Sequence, residues 1–98
     1  MEIRPGQVVV SIAGRDRGRR YIVLHVIDDT FVTVADGTYR RVFNPKKKNV
    51  RHLMATRKVD GGVGSKVLAG VRVTDEEVRQ ALRAVDNDSC GKADWSHE

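Results

Sequence analysis

Apolar and polar positions alternate along the first half of the chain with the period of a β-strand, and change near its end to the period of a helix. Gln7 to Ile12 carries Val8, Val10 and Ile12 on one face and Val9 and Ser11 on the other. Tyr21 to Ile27 is a second run, long and rich in the β-branched residues that favour extended backbone. Asp28-Asp29 marks a tight turn before a third strand, Phe31 to Ala35. Asp36-Gly37 reads as a hairpin turn, where both central residues must tolerate positive φ, and it predicts a fourth strand, Thr38 to Phe43, antiparallel to the third. Asn44-Pro45 ends that strand, and Val50 to Met54 is a short fifth one. Five short strands joined by tight turns cannot bury a face as an open flat sheet. The fold class expected is therefore mainly β, a small SH3-like five-stranded barrel over residues 1–58. An oligonucleotide-binding barrel has the same strand count but uses a longer chain and longer loops.

After residue 58 the pattern changes. Residues 59–73, with Asp60-Gly61-Gly62-Val63-Gly64-Ser65 at their start, read as a loop or linker. Thr74-Asp75-Glu76-Glu77 is a capping box, in which the Thr74 hydroxyl accepts from the Glu77 amide and the Glu77 carboxylate reaches back. Val78, Ala81, Leu82 and Val85 follow at helical spacing, so residues 74–86 are expected to form a C-terminal α-helix packed on the barrel. Residues 87–98, with Cys90 and Trp95, read as a flexible tail.

Composition narrows the possible functions. A chain of 98 residues has little room for a deep catalytic cleft. No apolar run approaches a membrane span and Met1 to Pro5 does not resemble a signal peptide, so neither membrane nor export is expected. The single cysteine fits a reducing, cytoplasmic setting. His25, His52 and His97 are scattered, the serines lack a nucleophile-elbow setting, and one cysteine with three dispersed histidines makes no metal site. Gly61 to Lys66 lacks the Gly-Lys-Ser/Thr order of a phosphate loop. No enzyme, cofactor, metal or small-molecule substrate is expected.

Charge supplies the remaining signal. The net charge is +5, but residues 1–58 hold thirteen Lys and Arg against five acids, a local +8, while residues 59–98 come to −3. Arg15, Arg17, Arg19 and Arg20 share one loop with Gly14 and Gly18, which let the backbone turn without a Cβ clash. A second cluster comprises Arg40, Arg41, Lys46, Lys47, Lys48, Arg51 and His52, with Arg40 and Arg41 on opposite faces of the fourth strand. Guanidinium and ammonium groups so placed suit phosphate. Phe31 and Phe43 are expected in the core, with Tyr21 and Tyr39 left open. So few rings favour phosphate contact and shape recognition of folded RNA over base-by-base readout.

The segment Gly6 to Arg19 (GQVVVSIAGRDRGR) resembles the KOW motif, a strand, a glycine-bracketed basic loop and a second strand. Gly18 matches the hallmark glycine of that motif and Gly14 the one opening the loop, while Tyr21 stands where many members carry a further glycine. That departure points away from the elongation-factor branch. It points toward large-subunit ribosomal proteins of archaeal and eukaryotic type, and toward small bacterial KOW-domain RNA-binding proteins similar to them. Ile27-Asp28-Asp29, Ala35-Asp36-Gly37 and Pro45 to Leu53 look like the bacterial group. The resemblance implies an SH3-like barrel that binds RNA, with ribosomal RNA the expected target and ribosomal or other translation proteins as further partners. An alternative is a protein-interaction barrel, an SH3-like adaptor of the translation or transcription machinery, docking through Val78, Ala81, Leu82 and Val85. A binder of double-stranded DNA would share the phosphate chemistry but lacks a basic recognition helix.

Overall fold

The computed structural model describes residues 3–87. Along the chain run β1 (Gln7–Ser11), β2 (Arg20–Val26), β3 (Phe31–Ala35), β4 (Lys46–Asn49), a 3-10 turn (Val50–His52), β5 (Leu53–Val59), α1 (Gly61–Leu68) and α2 (Asp75–Asn87). The five strands make one antiparallel sheet in the order β4-β3-β2-β1-β5. The 3-10 turn draws its two edges together: the Val50 amide donates to the Thr30 carbonyl at 2.8 Å, and the Ile12 amide donates to the His52 carbonyl at 2.9 Å. The sheet is thereby curled into the small barrel-like form that the strand pattern predicts.

The predicted fourth strand, Thr38 to Phe43, does not form, and Lys46–Asn49 takes its place beside β3 in the register Val32↔Lys48 and Val34↔Lys46. Asp36 is the cause. Its carboxylate accepts from the Thr38 and Arg40 amides, each at 2.8 Å, and the Val42 amide donates to the Asp75 carboxylate at 2.8 Å. Side chains thus take the amides that a ladder needs. The fifth strand begins at Leu53, three residues later than expected, because Val50–His52 forms the 3-10 turn capped by the Asn49 side chain.

Two cores lie on opposite faces of the sheet. Inside the curl pack Val9, Tyr21, Val23, Val32, Val34 and Leu53. Outside, Ile22, Leu24 and Ala35 pack against Val63 of α1, Val73, and Val78 and Ala81 of α2. The uninterrupted apolar run Tyr21-Ile22-Val23-Leu24 follows from this arrangement, since both faces of β2 are buried.

The expected loop at 59–73 contains α1, an eight-residue helix. The Asp60 carboxylate caps it, accepting from the Val63 amide at 3.0 Å. Of its three glycines, poor helix formers, Gly64 is used for proximity. A Cβ on Gly64 would stand 2.9 Å from the Pro5 carbonyl oxygen, and one on Gly6 would stand 2.6 Å from the Asp60 carbonyl oxygen. The helix therefore seats directly on the backbone ahead of β1.

In α2 the predicted capping box forms. The Glu77 amide donates to the Thr74 hydroxyl at 3.2 Å and the Thr74 amide to the Glu77 carboxylate at 2.9 Å. Val78 and Ala81 are buried against the sheet and Leu82 packs beside them, so most of the stripe offered as a docking surface is core. The expected tail beyond residue 87, with Cys90 and Trp95, lies outside the described residues.

Candidate nucleic-acid interface

The loop between β1 and β2 is knit by its own backbone. The Gly18 amide donates to the Ser11 carbonyl at 2.7 Å, the Ser11 amide to the Arg19 carbonyl at 2.9 Å, and the Arg19 amide to the Asp16 carbonyl at 2.9 Å. Gly14 and Gly18 sit at φ of +80° and +90°, backbone conformations that residues with a Cβ rarely adopt. The result turns Asp16 inward and leaves Arg15, Arg17 and Arg19 exposed, with Arg20 half-buried at the start of β2.

Asp16, only 8% exposed, is the hub of this end of the barrel. Its carboxylate accepts from the Ser11 hydroxyl at 2.8 Å, the Tyr21 hydroxyl at 2.9 Å, and the ammonium groups of Lys46 and Lys48 at 3.2 Å each. Burial pushes the Asp16 carboxyl up, but the donors Ser11, Tyr21, Lys48 and Lys46 outweigh it and hold the group well below the usual carboxylate range. Burial, together with the Asp16 charge it donates to, raises the Tyr21 phenol. The sequence signal for this hub is an acid standing alone among the arginines of a basic loop.

Strand alternation assigns the three consecutive lysines different tasks. Lys46 and Lys48 share the inner face of β4 and reach Asp16, whereas Lys47 is exposed on the outer face with its ammonium 4.4 Å from the centre of the Phe31 ring. Lys48 is buried, so it faces the protein. Arg51 and His52, both exposed, sit in the 3-10 turn whose His52 carbonyl holds Ile12 at the loop's entrance. The loop, the lysine strand and this turn therefore converge on one end of the barrel. Arg40 and Arg41 stand apart: the Arg40 carbonyl accepts from the Asp36 and Gly37 amides, and the segment docks on α2 through Val42 and Asp75.

The rings also fall differently from the expectation. Phe43, expected in the core, is 80% exposed because the strand that would have buried it is a docked loop; Phe31 is half-buried. Tyr21 is core and Tyr39 is 75% exposed. The Arg19 guanidinium lies 4.3 Å from the centre of the Tyr39 ring. These two residues open onto a shallow groove also lined by Arg20, Arg79, Leu82 and Arg83. Arg79 is anchored within that groove, donating to the Gly37 carbonyl and, at 2.9 Å, to the Glu76 carboxylate.

Among the described residues no group of His, Cys, Asp and Glu is placed to hold a metal ion, and no helix is long and apolar enough to cross a membrane.

No protein-family model matches the chain. It is, however, similar to several curated proteins named large ribosomal subunit protein eL14. The one from Desulfurococcus amylolyticus is 35% identical over 80 residues, 82% of this chain and 76% of the relative. Those from Pyrobaculum neutrophilum and Staphylothermus marinus are 30% and 31% identical over 93 and 81 residues, covering 79% and 76% of the relatives. These relatives are archaeal, and nothing in them supports the bacterial placement that the loop segments suggested.

Proposed function

The chain belongs to the family of large ribosomal subunit protein eL14, and from that premise we propose that it is a non-catalytic RNA-binding protein of the ribosome, acting in the cytoplasm. Its partners are ribosomal RNA and neighbouring ribosomal proteins. One observation carries the reading: the Asp16 hub fastens the glycine-bracketed loop to the lysine strand. Arg15, Arg17, Arg19, Lys47 and Arg51 are left exposed, the first four on the elements that the hub joins. Cations presented by a fixed backbone lose little freedom when they meet phosphates, which suits recognition of a folded RNA by its shape. Of the two sequence clusters, the β1–β2 loop, Lys47, Arg51 and His52 form the main phosphate-binding face. Lys46 and Lys48 shape it from within, and Arg40 and Arg41 lie on a flank. The test is binding to structured RNA across a salt series. For every phosphate no longer neutralised, the slope of log K against log salt falls by roughly 0.7–0.9. The double variant Arg15→Ala/Arg17→Ala is expected to bind more weakly with a shallower slope and an unchanged fold. Equal affinity and slope for variant and parent would sink the reading.

A further inference from the structure

The groove between the β1–β2 loop, the 36–44 segment and α2 is lined by four arginines and one aromatic ring. They come from three stretches of chain far apart in sequence: Arg19 and Arg20, then Tyr39, then Arg79 and Arg83. On α2, Arg79 and Arg83 are spaced i, i+4 and so share one helix face. Among the described residues the one acid in the lining, Asp36, accepts from the Thr38 and Arg40 amides, and Arg79 is paired with Glu76, so four arginines stand against two carboxylates and positive charge remains in excess. Leu82, half-buried, contributes the apolar part. Tyr39 is held in place without being covered. Its loop is fixed on α2 by the Val42–Asp75 and Arg79–Gly37 hydrogen bonds, and Arg19 lies over its ring, yet the residue is 75% exposed. Exposure of that extent leaves one face of the ring to solvent.

A ligand for this groove must offer negative charge and a flat apolar surface within a few ångströms of each other. A nucleotide does so, its phosphate toward the arginines and its base on the open face of the ring. A base inside a duplex has both faces stacked and cannot present one, so the ligand is unpaired. We infer that this groove captures a single unpaired nucleotide, bulged or looped out of the bound RNA, with its base stacked on Tyr39 opposite Arg19. The inference rests on the RNA-binding reading above and adds to it a site that is selective for RNA structure, on the helix side of the barrel.

The test compares two blunt-ended RNA duplexes without loops, one fully paired and one carrying a single bulged 2-aminopurine, bound to the full chain and to its Tyr39→Ala and Tyr39→Phe variants. The parent is expected to prefer the bulged duplex by about tenfold, the effect of one base–aromatic stack, and to quench the 2-aminopurine fluorescence on binding. Tyr39→Phe keeps both properties. Tyr39→Ala loses both while binding the paired duplex as the parent does. Equal binding of the two duplexes by the parent, or a preference that survives in Tyr39→Ala, overturns the inference alone. Absence of salt-dependent binding to either duplex overturns the RNA-binding reading and this inference with it.

Discussion

The carboxylate of Asp16 and the ammonium of Lys48 meet at 3.2 Å across 32 residues of sequence, both almost wholly buried. An ion pair of this kind offsets a large desolvation cost with hydrogen bonds, and here Ser11, Tyr21 and Lys46 complete them. Among the described residues no buried side-chain nitrogen or oxygen lacks a partner.

Removing one member strands the others. Asp16→Ala is expected to destabilise the fold by about 3 kcal/mol, because it leaves the buried Lys48 ammonium uncompensated. Lys47→Ala, one residue away but exposed, changes stability by less than about 0.5 kcal/mol. Urea unfolding of the two variants checks the contrast. A triple alanine replacement of Lys46, Lys47 and Lys48 therefore tests the fold as well as RNA binding.

Acid should act through the same carboxylate. Its folded-state pKa lies below its unfolded value, so the folded protein binds fewer protons than the unfolded chain as pH falls. The stability contributed is complete above the ordinary Asp range near about 4 and is lost as pH drops through that range toward the lower folded value. Asp28, Glu76 and Glu77 are lowered too, so the diagnostic quantity is the difference between parent and Asp16→Asn. That difference is expected to narrow steadily between about pH 5 and about pH 2 in equilibrium unfolding series. A constant gap over that interval contradicts the assignment.

Glycines at positive φ differ in what surrounds them. A Cβ at Gly18 meets nothing within 4 Å, so Gly18→Ala adds only backbone strain of about 1 kcal/mol. At Gly37 the same atom falls 2.7 Å from the Asp75 carbonyl oxygen and 2.8 Å from Arg79 Cγ. Gly37→Ala is expected to cost about 3 kcal/mol, combining strain with forced separation of the loop from α2. Thermal unfolding monitored by circular dichroism ranks the two.

The capping box gives a smaller, local effect. Thr74→Ala removes the acceptor for the Glu77 amide and is expected to cost about 1 kcal/mol. Hydrogen exchange should quicken in the first turn of α2 and remain unaltered in β1.

Local signals in this sequence suffice where local chemistry decides. Thr74 to Glu77 specifies a helix start, the β-branched runs of Val8–Val10 and Tyr21–Val26 specify strands, and Gly14 and Gly18 mark the loop. The departures share a physical reason, which is tertiary competition. Asp36-Gly37 has hairpin chemistry, but the Asp36 carboxylate and Asp75 of α2 claim the amides of the following residues. Gly61 to Gly64 has poor helix propensity, yet Gly6 and Gly64 approach so closely that only a residue without a side chain fits. The inward role of Lys46 and Lys48 is not legible in the sequence because their partner lies 30 and 32 residues away.

Closure of the barrel by the 3-10 turn has a kinetic consequence. β1 gains its second ladder only from β5, whose residues lie some fifty positions later in the pairs Gln7↔Val59 and Val9↔Ala55. Contacts of such sequence separation must overcome loop-closure entropy before they stabilise anything, so this ladder is expected to form later than the ladders between neighbouring strands. During synthesis, therefore, one edge of β1 stays unpaired until Leu53 and the residues after it have emerged, and the nascent chain exposes that edge to aggregation for the whole interval.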